Sequence, residues 1–466
     1  MTSPAPRPVL AELRELARLA LPVIAAQIAL MAMGVIELAY VGHLGRDALA
    51  GVAAGITWAF AVFIVPMGVL FAADPVASQA WGAGDRKACG EALARSLALA
   101  VVVSMPTMVA WAFTAPVLYV LGQPSEAIPF ARSFILWSIP GVLPVLCFHA
   151  LRQVLQGMGT IRPVLLASLA GTLCEAFSGW VLVFGKLGFP AMGVAGAGLA
   201  SSLSRFVLFG VLLVLAGREE RFRQVRPWAR LDALSPRAIL RLGLLGAPIG
   251  IQYGLEVWVF SIVGVWMGWL GSSELAGHQI ALNLASLSFM VPVGISVAAS
   301  VRVGQAVGRR DPAGMRRAGW TAMAAVSAVM VLFAVAFAIF PGPLARLYTD
   351  DGEAAAMAAL LIPMAALFQI CDGAQSVGFG VLRGTGDVRL PPFINLVGYY
   401  AVALPLGWWL AFRRDGGPRG LWTALVVGLF LVAGLLVLRI AFRFRREIAP
   451  LAAKDGDPCL RPADLP

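Results

Sequence analysis

Long apolar stretches of about 20 residues or more follow one another along almost the whole chain, separated by short polar segments. A stretch of this length crosses a bilayer core of about 30 Å as an α-helix. A membrane β-barrel would instead alternate polar and apolar residues over about 10 positions, and no such pattern is present. The pattern predicts an all-α polytopic membrane protein with twelve transmembrane helices, at residues 17–40, 48–72, 93–118, 130–152, 163–185, 192–216, 240–268, 275–300, 318–341, 355–381, 391–412 and 420–440.

The two halves of the chain repeat each other. The segment GHLGRDALAGVAAGITWAFAVFIVPMG at 42–68 aligns with GWLGSSELAGHQIALNLASLSFMVPVG at 268–294, a shift of 226 residues. The same shift carries SQAWGAGD at 78–85 onto GQAVGRRD at 304–311. Each half contains six of the predicted helices. Because six is an even number, both halves enter the membrane from the same side and form parallel repeats. We expect an N-terminal six-helix lobe at 1–216, a basic cytoplasmic linker at 217–240, a C-terminal six-helix lobe at 241–445 and a cytoplasmic tail at 446–466.

Composition supports the membrane assignment and narrows the chemistry. The chain is 59% hydrophobic and 13% charged, with a mean hydropathy of +0.83, which excludes an ordinary soluble domain. Its five cysteines are scattered without a CxxC motif, so neither a disulfide framework nor a zinc site is expected. The first apolar stretch is long enough to span and lacks a small-residue cleavage site, so we expect it to remain as the first helix rather than a signal peptide.

The net charge of +11 is distributed by side of the membrane. Basic residues concentrate in alternate gaps between the predicted helices, above all in 218–241, 302–317 and 439–461, while the opposite gaps hold few apart from the cluster Arg413, Arg414 and Arg419. This asymmetry predicts a multi-pass protein of the inner (cytoplasmic) membrane with both termini in the cytoplasm. Contact with lipid headgroups accounts for the charge, so the lipid bilayer is an expected partner and nucleic acid is not.

Five carboxylates fall within or at the ends of predicted spans: Glu37, Asp74, Glu175, Glu256 and Asp372. An ionisable residue inside the membrane costs about 2.5–3.5 kcal/mol on insertion scales, so each needs a functional reason. Asp74 lies near a predicted helix end, where a solvated position or pairing with an arginine would explain it. The other four lie deeper and are the candidates for function.

Polar residues lie at helical spacing beside deep carboxylates, and a further polar stripe lies in the eighth predicted helix. The stripes are Gln252 and Glu256; Gln369, Asp372 and Ser376; Ser168, Thr172, Glu175 and Gly179; and His278, Gln279 and Asn283. Such stripes face the protein interior or a water-filled cavity rather than lipid. The alternative is interhelical hydrogen bonding worth under about 2 kcal/mol per pair, which stays open for Gln252, Gln279 and Asn283. For Glu256 and Asp372 that alternative is weaker, because neutral amides would serve without the insertion cost.

Buried carboxylates can couple transport to ions in two ways. A desolvated carboxylic acid can bind and release a proton near neutral pH, and several oxygens together can replace the hydration shell of a hard cation. Carboxylates also attract cationic substrates, which aromatic faces such as those of Tyr253, Trp258, Phe368 and Tyr399 can contact.

Several motifs resemble one transporter family. They are LALPV at 19–23, GAGD at 82–85, GLEVWVF at 254–260, AGHQIALNLASLSFMVPVGISVAASVRVGQAVG at 276–308, LYTDD at 347–351 and FQICDGAQSVGFGVLRGTGD at 368–387. Over residues 10–445 the chain resembles the multidrug and toxic compound extrusion (MATE) transporters, in particular their bacterial NorM-like branch. The resemblance implies two six-helix lobes in a V-shaped arrangement. It also implies export of small, cationic, amphipathic organic compounds in exchange for Na⁺ or H⁺.

The resemblance also suggests roles for particular residues. Glu256 and Asp372 match the acidic pair of the C-terminal cation site, and they would be the metal ligands if the coupling ion is Na⁺. Glu37 matches a helix-1 aspartate linked with proton and substrate handling, although its side chain is longer. In helix 5, Glu175 and Gly179 replace two asparagines, which favours protons as the coupling ion. The candidates for the substrate cavity are Glu175, Gln252, Tyr253, Gln279, Asn283, Gln369 and Tyr399. We expect a monomer without a cofactor other than the coupling ion.

The alternatives are two other protein classes, a membrane enzyme and a channel, and one other kind of transporter, a flippase. A membrane enzyme would need a catalytic constellation, but the three histidines have no metal-ligand spacing and no nucleophile–base motif is present. A channel fits less well than alternating access, because acids occur in both parallel repeats. A flippase or exporter of lipid-linked saccharide or polysaccharide precursors carries anionic cargo and should have buried arginines. Only Arg205 was a candidate for that role, and snorkelling of its side chain explains its position.

Overall fold

The computed structural model describes residues 9–225, 234–446 and 448–451. Within these residues, twelve helices, numbered α1 to α12 here, are long and apolar enough to cross a membrane. Their bounds are Val9–Gly42, Arg46–Ala83, Arg86–Ala112, Ile128–Gly157, Arg162–Phe184, Gly193–Arg218, Pro236–Leu270, Ser272–Gly308, Pro312–Ile339, Gly352–Gly384, Leu390–Arg413 and Gly417–Arg443. The predicted all-α fold with twelve spans is therefore confirmed.

Three of the spans are irregular. The α2 span is interrupted between Arg46–Leu70 and Ala73–Ala83, and α4 contains a 3-10 turn at Ile139–Gly141. In α11, two stretches are π-helical, Leu396–Ala403 and Trp409–Arg413. A π-helical turn shifts the register of the side chains that follow it, and such turns are frequent at functional sites. The first π-helical stretch carries Tyr399, which belongs to a polar cluster described below.

The repeat seen in the sequence recurs in the backbone. Asp85 caps the N-terminus of α3 by accepting a hydrogen bond from the Ala88 N–H (2.9 Å), and Asp311 caps α9 in the same way from Gly314 (2.8 Å). The preceding residues, Gly84 and Arg310, both adopt positive φ angles, 80° and 55°. The GAGD motif is thus a helix end followed by an N-cap, present in both copies.

Glycine allows one helix to approach another at equivalent places in the two copies. A Cβ atom on Gly384 of α10 would lie 2.6 Å from the Ser300 carbonyl oxygen of α8. A Cβ atom on Gly157 of α4 would lie 2.9 Å from the Ser78 backbone nitrogen of α2. Both distances are too short for a methyl group, so these positions require glycine for the observed packing.

The chain forms two compact units. The N-terminal unit comprises Ala25–Gly250 and Leu451–Pro466, and the C-terminal unit comprises Met1–Ile24 and Ile251–Pro450. The unit boundaries therefore fall inside α1 and α7, shortly after Pro22 and Pro248. The lobes predicted at 1–216 and 241–445 remain a prediction, as does the role of the linker at 217–240. Most of the predicted tail at 446–466 lies outside the described residues.

Within each unit, one helix contacts several others. In the C-terminal unit α10 packs against α8, α9 and α12. In the N-terminal unit α4 packs against α2, α3 and α6, while α5 packs along α6. The central position of α10 explains why Asp372, near its middle, is only 8% exposed.

Candidate functional site

The C-terminal unit brings Glu256 of α7 and Asp372 of α10 close enough to interact electrostatically. Asp372 is buried and Glu256 is partly buried. Two carboxylates that share a low-dielectric site repel each other when both are ionised, so the pair favours binding of a cation or a proton. The sequence predicted both residues, and the structure places them together.

Gln375 and Tyr399 complete this arrangement. The Tyr399 hydroxyl donates to Gln375 Oε1 (2.9 Å), and the Gln375 amide lies next to the Glu256 carboxylate. Tyr399 also interacts electrostatically with Glu256 and Asp372. We call Glu256, Asp372, Gln375 and Tyr399 the C-terminal cluster.

Gln375 is a residue that the sequence analysis missed. It lies three positions after Asp372 and so shares its helix face, but the predicted stripe used Ser376 instead. In the structure the Ser376 carbonyl oxygen accepts a hydrogen bond from Ser296 of α8 (2.6 Å), which directs that part of α10 toward α8.

Aromatic side chains pack beside the C-terminal cluster. The Phe260 ring makes edge contacts with Phe368 and Tyr399, at centroid distances of 5.8 and 6.3 Å. Phe368 in turn contacts Trp422 of α12 (5.8 Å). These rings form a continuous aromatic group that includes Tyr399 of the C-terminal cluster.

Two candidates for the substrate cavity, Gln252 and Tyr253, lie near the C-terminal cluster, but each makes a hydrogen bond to a residue outside it. Gln252 is buried, and its backbone carbonyl oxygen accepts a long hydrogen bond from Asn395 (3.5 Å). The Tyr253 hydroxyl accepts a hydrogen bond from Arg383 at the end of α10 (3.5 Å).

Three further candidates are not part of the C-terminal cluster. Gln369 is buried and accepts a hydrogen bond from the Ser288 hydroxyl of α8, a contact of the interhelical kind. Asn283 is exposed and accepts from the Tyr348 hydroxyl (3.0 Å), and Gln279 is exposed as well. The predicted polar stripe of α8 therefore does not converge on the acids.

The N-terminal unit holds a second group of charged residues. Glu37 of α1 and Glu175 of α5 are 8% and 2% exposed, and they interact electrostatically. The Ser204 hydroxyl of α6 donates to Glu175 Oε2 (2.6 Å), and Ser201 lies next to Glu37. We call Glu37, Glu175, Ser201, Ser204 and Arg205 the N-terminal cluster.

Arg205 belongs to this cluster, which corrects its interpretation as a snorkelling side chain. Its guanidinium interacts electrostatically with both Glu37 and Glu175. It also donates to the Ser138 carbonyl oxygen (3.3 Å) and lies 5.4 Å from the Trp111 ring centroid. The side chain thus points into the protein and is held there by carbonyl, aromatic and carboxylate groups.

Gly179, the second altered position of helix 5, also has a packing role. The Tyr40 ring occupies the space beside it, so a Cβ atom at 179 would lie 2.7 Å from ring carbons. The Tyr40 hydroxyl donates to the Ala176 carbonyl oxygen (2.8 Å), which fixes the ring in that place.

Two other expectations need correction. Asp74 is 1% exposed, so its interpretation as a solvated helix end is wrong. The expectation that Arg205 is the only buried arginine is also wrong, because Arg205 is partly buried whereas Arg95, Arg152 and Arg383 are each 5–6% exposed. Arg95 pairs with Glu91 one helical turn earlier (3.2 Å).

In the described part of the chain, no group of three or more His, Cys, Asp or Glu side chains comes together. The two-carboxylate C-terminal cluster, with amide and hydroxyl oxygens nearby, is chemically suited to a proton or a monovalent hard cation.

Twelve apolar spans in two repeated sets, with carboxylates inside the spans of both sets, are typical of a polytopic membrane transporter. The MatE family model matches residues 22–181 and 248–409, once in each repeat. The chain therefore belongs to the MatE family.

Individual relatives agree with this assignment. The chain is 38% identical to a probable multidrug resistance protein NorM of Bradyrhizobium diazoefficiens, over 94% of this chain and 95% of that protein. It is 35% identical to a probable multidrug resistance protein NorM of Xanthomonas axonopodis pv. citri, over 94% and 96%. Its fold is similar to the crystal structure of the eukaryotic MATE transporter AtDTX14, with a TM-score of 0.86 and 24% identity over 94% of this chain and 99% of that one. A twelve-span protein with these bacterial relatives fits a multi-pass inner-membrane location.

Proposed function

We propose that this protein is a cation-coupled antiporter, driven by H⁺ or Na⁺, that exports small cationic amphipathic compounds by alternating access. Multidrug efflux is supported by the family and by the names of the relatives. The observation that carries the coupling proposal is the interacting pair of Asp372, which is buried, and Glu256, which is partly buried, between membrane-spanning helices. Retaining two carboxylates there is costly unless a cation or proton binds them during transport.

Residue roles follow from the two clusters. Glu256 and Asp372 bind the coupling ion, and they are its metal ligands if that ion is Na⁺. Gln375 and Tyr399 orient the carboxylates through their hydrogen bond. Glu37 provides a second protonation or cation site in the N-terminal unit. The protein acts as a monomer with both termini in the cytoplasm, an orientation supported by its basic segments.

Transport in reconstituted vesicles tests this proposal. Ethidium or norfloxacin transport is measured under an imposed Na⁺ gradient and, separately, under an imposed pH gradient. We expect one gradient to drive transport by the native protein, which identifies the coupling ion. Asp372→Asn and Glu256→Gln should each reduce driven transport by roughly two orders of magnitude, because neither amide can exchange a proton or carry the charge that holds Na⁺.

The matched control is Asp47→Asn, which neutralises an exposed carboxylate in the first turn of α2 and should leave transport unchanged. All variants must be inserted in equal amounts. Native rates in either cluster variant would exclude these carboxylates as the coupling site, and no transport by the native protein under either gradient would reject the antiporter.

A further inference from the structure

The N-terminal cluster contains a fixed positive charge among its acids. Glu37 and Glu175 come from α1 and α5, and Arg205 comes from α6. The guanidinium interacts with both carboxylates while its own position is set by Ser138 and Trp111. Two carboxylates and one guanidinium leave a deficit of one positive charge when both acids are ionised.

The cluster also has an unused acceptor. Glu37 Oε1 is buried and has no hydrogen-bond partner among the residues that the structure describes. The second carboxylate is better satisfied, because Ser204 donates to Glu175 Oε2. A buried carboxylate oxygen without a donor is costly, so it indicates a place where a proton or cationic ligand binds.

Other titratable or charged groups do not remove this deficit. Tyr40 of α1 interacts electrostatically with Glu175, but its hydroxyl donates to the Ala176 carbonyl oxygen. A neutral phenol leaves the charge count of the cluster unchanged. The ligand must therefore supply one positive charge for neutrality, and a second would be buried uncompensated.

We propose that Arg205 acts as an internal counter-ion and sets the charge selectivity of the N-terminal cluster. With Arg205 present, the cluster accepts an organic monocation or a proton and disfavours a dication. This inference rests on the proposed export of organic cations. The positive charge of Arg205 permanently balances one of the two negative charges of Glu37 and Glu175. The remaining charge is matched by a monocation, while a dication leaves the site with a net positive charge in a low-dielectric environment.

Substitutions that change the charge count test the idea. Vesicles containing the purified full-length protein are assayed for transport of tetraphenylphosphonium, a monocation, and methyl viologen, a dication. Arg205→Gln gives the cluster two uncompensated carboxylates and should raise the dication-to-monocation rate ratio by roughly tenfold, a difference of about 1.4 kcal/mol in discrimination. Arg205→Lys keeps the charge and should keep the native ratio.

The double variant Glu175→Gln with Arg205→Gln is the decisive one. It restores a deficit of one charge, so its ratio should return to the native value even though both side chains differ. Arg218→Gln, at the exposed end of the same helix, is the matched control and should leave the ratio unchanged. If Arg205→Gln is too unstable to assay, Glu175→Gln alone takes its place. Glu37 and Arg205 then balance each other, so tetraphenylphosphonium transport should be slower than in the double variant, and equal rates in the two would overturn the proposal.

The two proposals fail in different ways. Absence of transport of either cation by the native protein would reject the proposed function itself. Active native protein with the same ratio in Arg205→Gln, or a double variant whose ratio does not return, would overturn the role of Arg205 and leave cation export standing.

Discussion

Tyr399 combines apolar packing and hydrogen bonding in one side chain. It is fully buried, its ring contacts Phe260, and its hydroxyl holds Gln375 beside Glu256. The ring is needed for packing, whereas the hydroxyl is needed to orient an amide next to an acid. These two contributions can be separated by removing the oxygen alone.

We expect Tyr399→Phe to fold with a loss of about 1 kcal/mol, the usual value of one hydrogen bond. Transport should fall more than stability does, because the Gln375 amide is then free to turn away from Glu256. Thermal unfolding in detergent and vesicle transport measure the two effects.

The matched control is Tyr400→Phe, which removes a hydroxyl bonded to the Leu255 backbone carbonyl (3.0 Å) in the same π-helical stretch. It should lose similar stability but retain transport. Equal transport losses in both variants would assign Tyr399 a purely structural role.

For individual residues, the sequence predicted the buried carboxylates but not all of the side chains that interact with them. Asp372 and Glu256 were predictable because a charge inside a span is rare. Gln375 and Ser376 lie only one position apart, so helical spacing alone could not decide which faces the acid. The electrostatic environment of Arg205 includes Glu37 and Glu175, which are distant in sequence, so it could be seen only in the fold.

Among the elements, the helix ends at Asp85 and Asp311 explain a motif that could have been mistaken for a functional one. Each aspartate caps the helix that follows it, and each follows a residue with positive φ. Both lie outside the two carboxylate clusters. The capping geometry therefore accounts for these aspartates without a transport role.

We expect Asp85→Ala and Asp311→Ala each to cost about 1 kcal/mol of stability, the typical value of an N-cap. Transport per folded molecule should stay native, because no ion-binding group changes. Asp85→Asn and Asp311→Asn retain an acceptor and should be nearly neutral. Thermal unfolding and transport normalised to folded protein provide the measurements, and loss of normalised transport in the Asn variants would show a role beyond capping.

The sequence predicted that the twelve transmembrane helices exist, but it did not predict where their helical geometry is irregular. The apolar stretches gave all twelve spans, because span length is set by bilayer thickness. The π-helical stretches of α11 were not predicted, because π-helical turns depend on packing and have no simple sequence period.

For the whole molecule, the division of α1 and α7 between the two units is the main feature. Residues 9–24 of α1 belong to the C-terminal unit, and residues 236–250 of α7 belong to the N-terminal unit. In the C-terminal unit, Glu12 of α1 pairs with Arg302 of α8 through two 2.8 Å hydrogen bonds and is 1% exposed. A cut between α6 and α7 therefore removes part of each unit.

We expect fragments 1–233 and 234–466, expressed separately, to be poorly folded, because each lacks a helical segment that completes its unit. The second fragment also loses Glu12, the carboxylate that pairs with the partly buried Arg302. Co-expression should restore a complex that transports. Size-exclusion chromatography in detergent checks this, and a monodisperse, fully helical 1–233 fragment alone would contradict it.

The shared backbone of the two halves also says something about their history. Arg310 keeps the left-handed conformation that Gly84 has in the first copy, so the shape was inherited where the residue was not. The acids behave in the opposite way. Glu37 corresponds to Val263 at the shift of 226 residues, and Asp372 corresponds to Val145 at the shift of 227 residues that aligns QGMGTIR at 156–162 with RGTGDVR at 383–389. The two halves therefore share a scaffold but not their ionisable groups, so an internally symmetric chain is chemically asymmetric.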